Sequence, residues 1–538
     1  MQLETNVLYY GDNLEILRKY IPDNSIDLIY LDPPFNSKAT YNVLFKEPTG
    51  ELSQAQITAF EDTWHWGHES EKTFQEIITT APIDVAEMIT AFRNFIHQND
   101  MMAYLVMMCI RLLELKRVLK NTGSIYLHCD SSASHYLRSL MDAIFGPKNF
   151  RNEIIWKRSF AHGDTGQGAK HFGRVTDSIL FYAKSEASTW NPQYKQYSDE
   201  ALERDYKYIE TDTNRRYRLA PVDGPGGASK GNPYYEFEGV SGYWRFSKAK
   251  MQQLYNEERI VVSSTGKSLS QKIYLDEAKG IPILNLWDDV NRISPTSRER
   301  LGYPTQKPEA LLERIISASS KTGAIVLDPF CGCGTAIVVA QKLHRKWIGI
   351  DITHLAISTM KWRLKKIFPR IQYKVVGEPK DLAGARELAA QNKYQFQWWA
   401  VSLVGGQPYG DKKKGADTGI DGLVYFMDEK DKVKKVIVSV KGGGTSVKDI
   451  RDLNGVIDRE KAEMGIFLTL KEPTGPMKTE AITKGFYASP LGKDYPKVQI
   501  LTIEELLNGD KPDIPPWIAP IQAPPKHKQE KGKTAKLL

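Results

Sequence analysis

Apolar residues recur along this chain with two rhythms. Short apolar runs closed by turn residues (NVLYYGD, IDLIYLD, SIYLHCD, AIVLDPF, KWIGIDI) have strand length and predict buried β-strands. Between them, NLEILRKYI, MMAYLVMMCIRLLELKRVL, HYLRSLMDAIFG, EALLERIISASS and AIVVAQKL return apolar residues every three or four positions. That spacing predicts helices with one buried face. The longest, over 101–119, runs into Asn121-Thr122-Gly123, a helix stop. Strands alternating with helices predict an α/β fold, a parallel sheet with helices on its faces.

The alternation breaks between residues 186 and 300. Segments such as NRRYRLAP, PGGASKGNPYYEF and SGYWRFSKAK are polar, aromatic, basic and rich in turn residues, which predicts an inserted irregular domain. A further region with its own strands and helices spans 385–510. The expected organisation is therefore one α/β domain in two parts, 1–185 and 301–375, interrupted by an insert at 186–300. A second α/β domain at 385–510 and a tail at 511–538 follow. There are no internal repeats.

Composition narrows the class. With 41% hydrophobic and 26% charged residues the chain is globular, and no apolar run approaches the roughly 18 residues of a membrane span. The N-terminus, MQLETNVLYYGDN, lacks a basic region followed by an apolar stretch, so a cytoplasmic protein without a membrane partner is expected. The four cysteines lie in apolar or glycine-rich surroundings, as reduced buried thiols do. Cys331-Gly-Cys333 has the wrong spacing for a zinc knuckle, and no second pair lies nearby. Net charge is +8, of which the terminal APPKHKQEKGKTAKLL supplies +4, as a basic disordered tail would. The remaining mild basicity is compatible with a nucleic-acid partner.

Two stretches carry chemistry. The strand IDLIY runs into Asp32-Pro33-Pro34-Phe35, where the prolines end the sheet ladder because neither can donate to it. In VLDPFCGCGTAIVVA, Gly332 and Gly334 stand between a buried strand and a helix start, where positive φ and close approach of a ligand are permitted. A dinucleotide site would want a third glycine, and this chain has Ile337 there, which disfavours a nicotinamide dehydrogenase. Asp351 closes the next strand at the position of a ribose-gripping acid. Asp328, Phe330, the two glycines and Asp351 together favour a nucleoside cofactor without a pyrophosphate. S-adenosyl-L-methionine fits, its carboxylate suiting backbone N–H groups and its ammonium an acid such as Asp328.

LDPPF resembles the catalytic motif of the amino-group DNA methyltransferases, and DPFCGCGT resembles their cofactor motif. The catalytic motif comes first, the order of the beta class, which includes the modification subunits of type III restriction systems. The resemblance covers residues 1–370. YPTQKPEALLERII is similar to the class's cofactor-side helix motif, with Tyr303 where histidine is more usual. GSIYLHCD is similar to a later sheet motif, and LYYGDNLEIL to the strand whose acid, here Asp12, contacts the cofactor's adenine. The resemblance implies a Rossmann-like S-adenosylmethionine-dependent methyltransferase with an inserted target-recognition domain, acting on double-stranded DNA, possible as a homodimer. It implies that Asp32 and the Pro33 carbonyl accept the two N–H bonds of an exocyclic amine. Pro34 would help to stiffen that loop and Phe35 would stack on the flipped base. Aspartate in the motif goes with N6-adenine; N4-cytosine is the alternative. In the insert, Arg215, Arg216 and Arg218 around Tyr217, with Trp244 and Arg245, are the expected DNA contacts.

GIDG followed by a strand ending in Val-Lys resembles Mrr-like members of the PD-(D/E)xK restriction nucleases. That implies a C-terminal α/β restriction-endonuclease-like domain, with Asp421 as a Mg2+ ligand and Lys441 beside the attacking water. Ser439 stands where the family has glutamate, aspartate or glutamine, and Gln397 where a supporting glutamate is often found. Two readings follow: Mg2+-dependent cleavage in a restriction–modification context, or a module that only binds DNA.

Overall fold

The computed structural model describes residues 3–34, 66–159, 170, 172–294, 297, 299–301, 303, 305–409, 419–429 and 432–516. The apolar runs form the centre of a nine-stranded sheet. Its strands are β1 (Val7–Tyr10), β2 (Ile26–Leu31), β3 (Leu119–Cys129), β4 (Phe150–Lys157), β5 (Thr176–Ala183), β6 (Leu286–Trp287), β7 (Ile325–Asp328), β8 (Lys346–Asp351) and β9 (Lys374–Val376). Their spatial order is β6-β4-β5-β3-β2-β7-β8-β1-β9. The strands from β3 through β9 in that order run parallel, and β5 is antiparallel to both its neighbours. Leu28, Ile29, Val326, Leu327, Ile348 and Ile350 are fully buried, as expected of strands covered on both faces.

Helices follow the strands where the sequence placed them. They include α1 (Asn13–Tyr20), α2 (Asp100–Val118), α3 (Ser134–Phe145), α4 (Glu309–Ser319), α5 (Thr335–Lys342) and α6 (His354–Ile367). Local chemistry sets their ends. Asp12 caps α1, and the Asn99 side chain accepts from Met102 N at the start of α2. α2 is buried along most of its length, with Met102, Leu105, Met108, Cys109, Leu112 and Leu115 in the core.

The two halves of the chain meet at β1. This N-terminal strand inserts between β8 and β9, pairing Val7 with Ile348 and Lys374, and Tyr10 with Asp351. Asp32, Asp328 and Asp351 therefore all stand at the carboxyl ends of neighbouring parallel strands, the edge where such sheets bind ligands.

Residues Pro192–Leu284 form a compact unit of their own. Sequence texture suggested an irregular insert, but this unit has a four-stranded sheet in the order Ile260–Val262, Leu269–Tyr274, Arg216–Pro221, Tyr208–Ile209. Val222, Phe237, Trp244, Met251, Leu254, Ile260 and Leu269 make its core. Its strands are too short, and too rich in arginine and tyrosine, for periodicity to reveal them.

The C-terminal region builds a five-stranded sheet from β10 (Gln407–Pro408), β11 (Gly422–Glu429), β12 (Lys432–Lys441), β13 (Met464–Thr469) and β14 (Val498–Thr502), in that order. β10, β11 and β12 are antiparallel; β12, β13 and β14 are parallel. Its first long helix, α7 (Lys393–Leu403), packs on α6: Ser358 Oγ donates to Trp398 O (3.0 Å), and Lys361 Nζ to Ser402 Oγ (3.2 Å). No described helix is long and apolar enough to cross a membrane.

Candidate active site

At the carboxyl edge of β2 and β7 lies a small open cavity, lined in part by Tyr30, Asp32, Lys307, Asp328, Phe330 and Gly332. Pro33 and Pro34 follow Asp32 with no further strand, which fixes where β2 stops. Asp32 is half in use. Its Oδ2 takes an ion pair from Lys307, while Oδ1 is buried without a hydrogen-bond partner. A buried carboxylate oxygen left unmatched is costly and calls for a donor. Phe35 lies outside the described residues.

Asp328, at the end of β7, is buried, and its Oδ1 accepts from Phe330 N (3.1 Å). Burial pushes its carboxyl well above the usual range, and the charges of Asp32 and Asp351 push the same way. Asp351 organises two backbone segments. Its Oδ2 accepts from Gly332 N (2.9 Å), and its Oδ1 from both Thr353 N and Thr353 Oγ1 (2.9 Å each). Burial raises its carboxyl too, against the pull of these hydrogen bonds.

The glycine turn is sterically demanding. Gly332 and Gly334 have φ of +50° and +76°, and a Cβ on Gly334 would stand 2.5 Å from Met360 Cγ. Behind the turn, buried Arg363 donates to Cys333 O (3.0 Å) and Thr335 Oγ1 (3.2 Å), and pairs with Glu309 (2.9 Å). Cys331 and Cys333 are buried free thiols, raised above their ordinary pKa by that burial, so the turn is held by hydrogen bonds and packing.

Asp12, expected at the cofactor's adenine, joins α1 to α2: its Oδ1 accepts from Leu14 N (2.7 Å), capping α1, and its Oδ2 pairs with Arg111 (2.7 Å).

In the insert, the expected DNA contacts divide. Trp244 is 1% exposed and donates Nε1 to Tyr235 O (2.7 Å), so it is a core residue and not a base platform. Arg215 is paired with Asp276 and Glu277 (2.8 Å each) over the Tyr274 ring, so its charge is already offset within the insert. Arg216 donates to Tyr206 O and Leu202 O (3.0 Å for the latter). Arg218 lies over the Tyr206 ring, 5.7 Å from its centroid, with a buried Nε that has no hydrogen-bond partner. Arg245 is exposed, anchored through Nε to Asp223 O (2.9 Å). Aromatic–arginine clusters looked like a reading surface because local sequence cannot tell a stacked, paired arginine from a free one.

The C-terminal sheet brings Asp421, Ser439 and Lys441 to one edge. Asp421 Oδ2 accepts from Val440 N (2.7 Å), Ser439 is buried, and Lys441 is 45% exposed, 3.7 Å from Asp449. Among the described residues, no group of three His, Cys, Asp or Glu is placed to hold a metal ion. At the expected Mg2+ site, Ser439 brings a neutral hydroxyl where a ligand is needed, and an oxygen of Asp421 is bound to the neighbouring strand.

Residues 26–361, more than half of the chain, match the DNA methylase family (N6_N4_Mtase). The chain belongs to that family. Residues 394–508 match a second family, described as NACHT-associated inactive Restriction Endonuclease 1. Type II methyltransferase M.EcaI of Enterobacter cloacae is 32% identical over 268 residues, 48% of this chain and 57% of that protein. The Type III restriction-modification enzyme StyLTI Mod subunit of Salmonella typhimurium is 26% identical over 359 residues, 63% of this chain and 50% of that protein. DNA adenine methyltransferase YhdJ of Escherichia coli is 26% identical over 350 residues, 65% of this chain and 79% of that protein. The chain thus spans about half the length of the first two of these relatives.

Within this member of the family, sequence reasoning missed Lys307 and Arg363. Lys307 lies in the quoted YPTQKPE stretch, but its partner Asp32 is 275 residues away. Arg363 is a cation on an otherwise buried helical face, and that mismatch was the available signal.

Proposed function

We propose that this methylase transfers a methyl group from S-adenosyl-L-methionine to the N6 amine of adenine flipped out of duplex DNA. The observation that carries the reading is the buried, unpartnered Oδ1 of Asp32, a residue that lines the cavity bordering the glycine turn. The names of the relatives, including a DNA adenine methyltransferase, support the substrate class.

The residues present fit the cofactor. Gly332, at positive φ, lines the cavity, Asp328 offers a carboxylate suited to an ammonium, and Asp351 offers one suited to a ribose diol. When bound, S-adenosylmethionine supplies an electrophilic methyl group. The protein must make the amine nucleophilic, because its lone pair is delocalised into the ring. Asp32 Oδ1 and the Pro33 carbonyl accept its two N–H bonds and draw the nitrogen toward sp3, so the lone pair leaves the ring plane. These acceptors are in place before charge develops on nitrogen, which is where preorganisation lowers a barrier. Asp32 Oδ1 then accepts the surplus proton. Lys307 holds Oδ2 and orients the carboxylate throughout.

The unit 192–284 is proposed as the target-recognition domain, with exposed Arg245 its best-placed candidate contact among the residues named from sequence. For the C-terminal domain, the inactive family it matches and the neutral Ser439 beside Asp421 support a module that does not cut DNA.

One assay tests these readings together. Duplex DNA is incubated with the protein and labelled S-adenosylmethionine across Mg2+ and Mn2+ titrations. N6-methyladenine without N4-methylcytosine is expected on mass spectrometry of digested product, with unmethylated DNA left intact at every metal concentration. Methylcytosine as the main product would overturn the adenine assignment, and metal-dependent nicking the reading of the C-terminal domain.

A further inference from the structure

The turn after Asp351 is held from outside the methylase fold. His354 is the first residue of α6, and the amides of a helix's first turn have no partner within the helix. His354 is fully buried, so water is not at hand for its N–H. The partner is Gln395 on α7: its Oε1 accepts from His354 N at 2.5 Å, and its Nε2 reaches Ile352 O at 3.5 Å. Gln395 is itself 3% exposed, and the Asn392 side chain that caps α7 accepts its backbone N–H (3.0 Å). Residue 395 lies in the segment matching the inactive restriction endonuclease.

The same turn carries the acid assigned to the ribose. Asp351 Oδ1 binds Thr353, and the Thr353 hydroxyl accepts from Ala356 N to start α6. On the other side, Tyr10 pairs in register with Asp351 and stacks on the His354 ring, centroids 3.7 Å apart. Two contacts thus fix Asp351 directly, the glycine turn through Gly332 and strand β1 through Tyr10, and Gln395 holds the turn that follows it.

We propose that Gln395 is a positioning residue for the cofactor site, and that the restriction-endonuclease-like domain completes the methylase by holding the Ile352–His354 turn. The proposal rests on assigning Asp351 to the cofactor. It gives a non-cutting domain a function: its first long helix satisfies an amide that the methylase fold leaves buried and orphaned. By linkage, cofactor binding must tighten α7 to the same extent that α7 favours cofactor binding.

The test uses the full chain and S-adenosylmethionine as the probe. Gln395→Met keeps the volume and removes both hydrogen bonds; it is expected to weaken cofactor binding in calorimetry by about tenfold, the scale of one buried hydrogen bond. KM for the cofactor should rise with it while KM for DNA stays at the wild-type value, a split that general destabilisation does not produce. The exposed Gln391→Ala, at the end of the helix Leu382–Gln391 that precedes α7, should bind as wild type. Asp351→Ala separates the two levels of the argument. If it weakens binding and Gln395→Met does not, the positioning role is overturned. If neither weakens binding, the ribose assignment falls and this inference falls with it. Hydrogen exchange on the wild-type protein decides the matter even if Gln395→Met misfolds: saturating cofactor should slow exchange in Lys393–Leu403, and unchanged exchange there overturns the proposal.

Discussion

Asp32→Ala is expected to lower kcat for methyl transfer by at least about 10^3-fold while leaving the affinity for S-adenosylmethionine unchanged. The magnitude follows from what the substitution removes. Asp32 Oδ1 is buried and unpartnered, so it is already in place for a donor when the target amine arrives. Its other oxygen is fixed by Lys307. Without the carboxylate, the amine keeps its lone pair in the ring, and the charge forming on nitrogen has no anionic acceptor. The loss therefore belongs to the transition state and should appear in kcat and kcat/KM together. Isothermal calorimetry with the cofactor, alongside single-turnover methylation, separates the two quantities. A parallel collapse of cofactor affinity would place Asp32 in the cofactor site instead.

Asp328→Asn is expected to do two opposite things: raise the melting temperature at neutral pH and weaken cofactor binding by about 10- to 100-fold. Asp328 is 3% exposed, its carboxyl held well above the usual range first by burial and then by the charges of Asp32 and Asp351. A carboxyl whose folded pKa exceeds its unfolded one stabilises the fold below the unfolded value, near 4, and loses that contribution as pH rises through the folded value. At neutral pH the ionised form is thus a burden on the fold, and asparagine removes it. The stability-against-pH curve of the variant should lack Asp328's share of this fall, while the share from Asp351, also raised by burial, remains. The same charge is the proposed partner of the cofactor's ammonium, and a charge-assisted hydrogen bond is worth roughly 1.5–3 kcal/mol. Scanning calorimetry between pH 4 and 8 and cofactor titration check the two halves. A lower melting temperature at neutral pH would mean that Asp328 is structurally satisfied.

The sequence by itself determined the elements and the motifs. Apolar runs too continuous to alternate are what strands covered on both faces require, so β2, β7 and β8 were legible, as were the helices between them. Asp32, Asp328, the glycine turn and Asp351 were legible because each sits at the end of such a strand, where a proline, a glycine or a lone acid breaks an apolar pattern. What sequence could not supply was partnership across distance. The pairing of Lys307 with Asp32, the support of the glycine turn by Arg363 and the capture of His354 by Gln395 join residues 275, 30 and 41 positions apart. The same limit hid the pairing of Asp12 with Arg111 and misassigned Trp244, a core residue of the insert. Periodicity reports whether a side chain faces the interior, because burial follows the repeat of the local backbone. Which buried group meets which is decided only when the sheet closes, with β1 entering between β8 and β9 and α7 docking on α6.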